Sequence, residues 1–362
     1  MLSPARLTAS PDRFACRWSS PSNIAIVKYW GKRPGQLPAN ASLSFTLDAC
    51  RTDTVLEIRP RCADGQRKGR YELSVLLDGV PAPAFEPKIL QFFDRIAPYA
   101  PYLEQYAFRL RTSNTFPHSS GIASSASGMS ALAACLTDFE SCSGAQPYPE
   151  AEFRRRASFY ARLGSGSAAR SIYGGAVLWG RCDRVASSSD LYAVALSREE
   201  VHPVFRDFCD TVLLIEQGAK SVSSSAGHAL MDGHPYAPVR FGQAQQRVER
   251  LLDILRAGDV EAFGRLAESE ALTLHAMMMT ADPAYILFRA GTVAVVEKVM
   301  QARRETGLPL YFTLDAGANV HLLYPACAQA AVRGFIQDEL SGLCGGRMIH
   351  DRVGAGARKE SL

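Results

Sequence analysis

The first half of the chain opens with strand-like patterns. Ile24 to Val27 is a continuous apolar run that reads as a buried strand, and Thr54-Val-Leu-Glu-Ile58 alternates like a half-buried one. Tyr71 to Leu77, then Asp78-Gly79 and a proline-punctuated return, predicts a hairpin, and Tyr106 to Arg111 predicts a further strand. The period then changes. Met129, Leu132, Ala133 and Leu136 recur at helical spacing, and so do Phe153, Ala157, Tyr160 and Leu163 in a helix over Glu152 to Leu163 that is expected to stop at Gly164.

The second half starts with a strand at Thr211-Val-Leu-Leu-Ile215. Helices follow over Gln243 to Leu255 and Val260 to Met278, the latter with Phe263, Leu266, Leu274 and Met278 inward. Leu310 to Leu314 and Val320 to Tyr324 read as strands joined by Asp315-Ala-Gly-Ala-Asn319, and a helix near Ala328 to Glu339 closes the pattern. Strands and helices alternate in both halves, which predicts an α+β fold of two domains. The expected divisions are a polar leader over 1–20, a first domain over 21–205, a second over 206–353 and a frayed tail over 354–362. Sites in such folds often lie between domains.

Composition narrows the field. The chain has 362 residues, 47% hydrophobic and 21% charged, with a net charge of +4, and no apolar run approaches membrane-spanning length. The mild basicity lacks the clustered Lys/Arg stripe of a nucleic-acid binder and suits a small anionic substrate. The nine cysteines are scattered without a C-x-x-C pair, which favours reduced thiols in a cytoplasmic protein over disulfides or a zinc site. The seven histidines lack i,i+4 pairing and read as mostly structural. No G-x-S-x-G elbow is present to support a serine hydrolase.

Four segments carry candidate chemistry. Phe116-Pro-His-Ser-Ser-Gly-Ile-Ala-Ser-Ser-Ala-Ser-Gly-Met-Ser130 runs into a helix. Unpaired N–H groups at a helix start, close backbone approach at glycine and serine hydroxyls together suit phosphate, although this is no Walker A loop. Gly164-Ser-Gly-Ser-Ala-Ala-Arg170 matches a dinucleotide fingerprint only superficially, because a helix precedes it and a strand, Ala176-Val-Leu-Trp179, follows. It reads as a donor-rich turn with an arginine suited to a planar oxyanion, or simply as a turn with an exposed arginine. Lys28-Tyr-Trp-Gly-Lys32 places cations and aromatics at the end of an apolar strand, and Asp315 is a lone carboxylate in a tight turn. Ser221 to Ser225 beside Lys220 is a further donor loop.

In this order, Asn23 to Lys32, Ile122 to Ala126, Gly164 to Arg170 and Leu314-Asp-Ala-Gly317 resemble the mevalonate diphosphate decarboxylases of the GHMP kinase superfamily. The resemblance runs from about Ser22 to Tyr324, and Glu270 to Pro283 shares in it. It implies a ribosomal S5 domain 2-like first domain, a ferredoxin-like second domain and a homodimer. It also implies ATP-dependent decarboxylation of (R)-5-diphosphomevalonate to isopentenyl diphosphate, ADP, phosphate and CO2, in the mevalonate route of isoprenoid biosynthesis.

Carried over, Asp315 is the base or orienting group for the 3-hydroxyl, Lys28 lies beside it and Arg170 holds the substrate carboxylate. Tyr29, Trp30, Gly31, Lys32, Ser165, Gly166, Ser167, Ala168, Ala169, Ser224 and Ser225 surround the phosphorylated substrate. Ser120, Gly121, Ala123, Ser124, Ser125 and Ser127 serve ATP, with Ser125 a candidate Mg2+ ligand. Ala318 stands where many members have proline, Ser119-Ser120 replace Thr-Ala or Ala-Ala, and Ser225 stands where some relatives have arginine. A decarboxylase of the monophosphate, a GHMP-type small-molecule kinase and a non-enzymatic nucleotide-binding protein are the alternatives.

Overall fold

A computed structural model describes residues 2–61, 69–117, 122, 124–216 and 222–362. The strands are β1 (Phe14–Val27), β2 (Lys32–Arg33), β3 (Leu37–Pro38), β4 (Ser42–Pro60), β5 (Glu72–Leu77), β6 (Val80–Pro81) and β7 (Tyr106–Asn114), then β8 (Ala176–Trp179), β9 (Ala193–Ala195), β10 (Cys209–Leu213), β11 (Tyr311–Thr313), β12 (Val320–Tyr324), β13 (Met348–Arg352) and β14 (Arg358–Glu360). The helices are α1 (Glu86–Ile96), α2 (Ser124–Ser143), α3 (Glu150–Gly164), α4 (Ala168–Ser171), α5 (Ser224–Ala229), α6 (Ala237–Ala257), α7 (Val260–Met279), α8 (Ala290–Thr306) and α9 (Gln329–Phe335). The α+β expectation holds. Among the described residues no helix is long and apolar enough to cross a membrane.

The first sheet runs β14-β1-β4-β7-β5-β6, and β8 and β9 extend it from β4. Strand β4 makes this branching possible, because its Thr52–Pro60 half pairs with β7 and its Ser42–Phe45 end pairs with β8. Asp78 and Gly79 close the β5–β6 hairpin with φ of 50° and 82°, the left-handed pair such a turn requires. The second sheet is antiparallel, in the order β11-β12-β10-β13. One face of the first sheet packs on α1 to α4 through Leu56, Phe93, Phe108, Leu136 and Phe139. An apolar cluster including Ile24, Phe45, Phe205, Val212, Leu251 and Phe263 then joins the first sheet to the second sheet and its helices. Leu213, Val299, Phe312 and Leu322 lie in a third cluster with β10, β11, β12 and α8.

Several expectations are corrected. The first strand begins at Phe14 rather than Ile24, because Cys16 and Trp18 point into the core before the buried small polar residues Ser19, Ser20 and Ser22 break the apolar signal. The segment expected to fray contains β14, which pairs with Arg17–Ser19. Helix α3 does stop at Gly164, but that residue is its last helical position and not a left-handed cap. Close packing calls for glycine there, since a Cβ would lie 2.8 Å from Met129 Sδ. The last helix is shorter than expected, passing at Ile336 into a π-helical turn. Helices α1 and α8 went unread.

Candidate active site

A cavity of about 440 Å³ opens where β1, α1, α4, α5 and the turn after β11 meet. Strand β1 ends at Val27, and the next residue keeps its side chain in the interior: Lys28 is 2% exposed. An ammonium so placed is costly unless paired. Its Nζ lies 2.9 Å from Oδ1 of Asp315, a carboxylate 25% exposed to the cavity. Small residues, Ala316, Gly317 and Ala318, follow Asp315 in the turn between β11 and β12 and leave room in front of it.

Arg170 on α4 is the third charge of this corner. It is buried, donating through Nε to Asn23 Oδ1 at 3.2 Å and through Nη1 to Ser42 Oγ at 2.6 Å. Both acceptors are neutral. Among the described residues no carboxylate pairs with it at ion-pair distance, although the negative charge of Asp315 is felt. Burial pushes its pKa down to about 10, with Asp315 and Tyr29 opposing the shift, so it stays charged at neutral pH. A buried guanidinium with only neutral partners is suited to an incoming carboxylate. The reading of an exposed turn arginine is excluded.

Aromatic rings and glycines shape the next stretch of wall. Tyr29 packs edge-on to Trp179 and against His228, and its buried hydroxyl has no hydrogen-bond partner among the described residues. Burial raises its pKa, so it remains a donor. At Gly166 a Cβ would sit 2.7 Å from the Trp179 ring and 2.8 Å from the Tyr29 hydroxyl, so this turn needs glycine to come that close. His228 on α5 accepts the Gly31 N–H through Nδ1 at 2.9 Å, and burial holds its pKa down to about 3. It is therefore neutral, with the ring hydrogen on Nε2.

The far end is cationic. Lys32, Lys88 and Arg95 line it, and Arg95 also donates to the Leu163 carbonyl at 3.0 Å. Burial lowers the pKa of Lys32, and the positive charges of Arg95 and Lys88 lower it further. Counting Lys28 and Arg170, five cations face the single carboxylate of Asp315 among the described lining residues. Such an excess concentrates polyanions. A second hollow of about 230 Å³ adjoins the first and shares Lys88 and Ser125 with it. Val75, Leu77, Leu110, Met129 and Asn114 line it, beside Ser124 at the start of α2.

Of the residues singled out from sequence, Lys28, Tyr29, Trp30, Lys32, Ser125, Ser165, Gly166, Ser167, Arg170, Ser224, Ser225 and Asp315 line the main cavity, and Ser124 lines the hollow. Gly31 contributes its N–H to His228 instead. Ala168 and Ala169 are buried within α4 and line neither space. Ser127 is turned inward, its Oγ 2.6 Å from Thr52 Oγ1. Ser120, Gly121 and Ala123 lie outside the described residues, as do Lys220 and Ser221. Sequence reasoning missed Lys88 and Arg95, although their spacing of seven puts them on one face of α1. It also missed His228, whose partner lies 197 residues away.

The family model for a diphosphomevalonate decarboxylase-like N-terminal domain matches residues 20–193. A diphosphomevalonate decarboxylase of Ganoderma lucidum is 30% identical over 322 residues, 85% of this chain and 77% of that protein. A phosphomevalonate decarboxylase of Haloferax volcanii is 26% identical, over 82% of this chain and 84% of its own. Among solved structures, MDDEF in complex with MVAPP, AMPPCP and magnesium superposes with a TM-score of 0.80 at 25% identity, covering 97% of this chain and 100% of its own.

Proposed function

The chain belongs to the diphosphomevalonate decarboxylase family, and on that footing we propose that it decarboxylates (R)-5-diphosphomevalonate at the expense of ATP, in the cavity around Lys28, Arg170 and Asp315. The observation that carries this reading is the corner itself. An ion-paired carboxylate faces the cavity beside a buried arginine whose hydrogen-bond acceptors among the described residues are all neutral. The first is placed to take a proton, the second to hold a carboxylate.

Each group has a separable task. The substrate carboxylate lies against Arg170, and its diphosphate extends towards the Tyr29 hydroxyl, Lys32 and Arg95. The nucleoside of ATP lies in the hollow beside Ser124, and its phosphates pass Ser125 and Lys88 into the main cavity. Asp315 orients the 3-hydroxyl and accepts its proton as that oxygen bonds to the γ-phosphorus and ADP departs. Lys28 keeps Asp315 ionised and offsets charge on the transferring group. The 3-phosphate then leaves C3, the C1–C2 bond breaks, and its electron pair becomes the C2–C3 double bond of isopentenyl diphosphate. Arg170 holds the carboxylate until it leaves as CO2.

Among the described residues no cluster of His, Cys, Asp or Glu could hold a metal ion. The hydroxyls of Ser125 and Ser165, 3.5 Å apart, fit a magnesium ion that takes most of its ligands from nucleotide phosphates and water. When bound, that ion neutralises phosphate charge during transfer.

Purified protein with ATP, magnesium and 5-diphosphomevalonate should release ADP and CO2 in equal amounts. ADP without CO2 would mean a kinase, and neither product would refute the assignment. The Haloferax volcanii relative and Ser225 give a monophosphate substrate some support, while the Lys32, Lys88 and Arg95 cluster favours the diphosphate. Comparing kcat/KM for 5-phosphomevalonate and 5-diphosphomevalonate decides between them.

A further inference from the structure

Helix α7 reaches both members of the Lys28–Asp315 pair, and each time it holds the main chain. Glu270, wholly buried, accepts the Lys28 N–H at 2.8 Å through Oε2. His275, also buried, sits with Nε2 3.1 Å from the Asp315 carbonyl oxygen. A carbonyl oxygen can only accept, so Nε2 carries the hydrogen and the imidazole donates. The ring stacks on Phe288 with centroids 4.2 Å apart and planes at 15°, which sets its orientation.

Glu270 is braced in turn. Arg240 donates to its two oxygens at 3.2 and 2.6 Å, and Arg247 donates to Oε1 at 2.6 Å. Five positions separate Glu270 from His275 on one continuous helix, a rise of about 7.5 Å. Neither side chain lines the cavity. The Asp315 turn has only small residues after it, and its carbonyl also accepts the Gly317 N–H at 2.7 Å. Among the described residues, His275 reaches this carbonyl from outside the turn.

We propose that His275 is a positioning residue for the decarboxylation. It works opposite Glu270, so that α7 acts as a bracket fixing where Asp315 and Lys28 stand relative to the substrate hydroxyl. This rests on the reading of Asp315 as proton acceptor given above. Displacing a reacting group by about 1 Å can cost on the order of 10²-fold in rate. The bracket touches no substrate, so its loss is expected in kcat and not in KM.

His275→Phe keeps a ring over Phe288 and removes the donor, whereas His275→Gln offers an amide N–H near the position of Nε2 without the ring. With ATP and 5-diphosphomevalonate, His275→Phe should lose about 10- to 100-fold in kcat, KM for both substrates should stay within about twofold, and His275→Gln should recover most of the rate. Melting temperatures are measured alongside. Wild-type kcat in a folded His275→Phe enzyme overturns the proposal. So does an equal loss in both variants that follows their melting temperatures, or a raised KM at unchanged kcat. Should His275→Phe not fold, the contrast between His275→Gln and His275→Met, similar in reach but without a donor, decides in the same way. A wild-type enzyme releasing no CO2 would instead remove the reading beneath the proposal.

Discussion

Two buried charge clusters in this protein use similar ingredients and differ in completeness. Between α2 and α3, Glu140 accepts from the hydroxyls of Tyr102 and Tyr160 at 2.9 and 2.8 Å and pairs with Arg156. The remaining Arg156 nitrogens reach the Ser3 carbonyl, the Tyr99 carbonyl and the Tyr160 hydroxyl. Neither the main cavity nor the hollow beside it is lined by this cluster. At the end of β1, by contrast, among the described residues Arg170 donates only to Asn23 and Ser42, the Tyr29 hydroxyl has no partner, and the Lys28–Asp315 pair borders the cavity. Burial is common to both clusters. What marks the second as a site is compensation left for a ligand to complete.

The contrast can be tested from both sides. Asp315→Asn keeps the shape of the corner and removes the proton acceptor, so kcat should fall about 10³-fold while nucleotide affinity stays near wild type. Turnover within tenfold of wild type would strip Asp315 of that role. Glu140→Ala should act the other way, costing about 3–5 kcal/mol in urea unfolding because Arg156 is left buried without its carboxylate. The molecules that remain folded should turn over normally, and a selective loss of kcat would erase the distinction between the clusters.

Arg170→Gln still reaches Asn23 and Ser42 but carries no charge. It should lower kcat/KM about 10²-fold, with less CO2 than ADP released; a full CO2 yield would contradict the carboxylate role. The smallest effect concerns His228. Its ordinary pKa is 6.5 and burial holds it near 3, so below pH 6.5 the unfolded chain binds a proton that the folded chain refuses. Its contribution is complete above pH 6.5 and is lost as pH falls towards 3, at about 1.4 kcal/mol per unit. His228→Met lacks this titration, so the stability gap between it and the wild type should narrow between pH 7 and pH 5. A constant gap would mean that His228 titrates normally in the fold.

How legible the chain was depended on the range of the cause. Strands β5, β7, β8 and β12 and helices α6 and α7 were readable because each carries its own apolar period. Strand β4 was legible only at Thr54 to Ile58. Its middle is polar and is held by distant groups: the Asp351 carboxylate accepts the N–H groups of Asp48, Ala49 and Cys50. The site shows the same divide. Lys28, Arg170 and Asp315 stand in motifs whose oddness is local, a cation ending an apolar strand or a carboxylate in a tight turn. Lys88 and Arg95 join them only because α1 folds across the cavity mouth, and His228 only because the Gly31 N–H arrives from far along the chain.

Strand β14 carries a consequence for the order of assembly. Arg51 is buried in the first sheet and donates to the Ser19 carbonyl and to the carbonyls of Ala355 and Gly356, just ahead of the strand that covers the edge of β1. Synthesis on the ribosome delivers β1 and β4 more than 290 residues before Arg358. Throughout that interval the first sheet keeps an open edge, a template for mispairing, and Arg51 lacks two of its acceptors. The sheet that is begun first is therefore the last to be sealed.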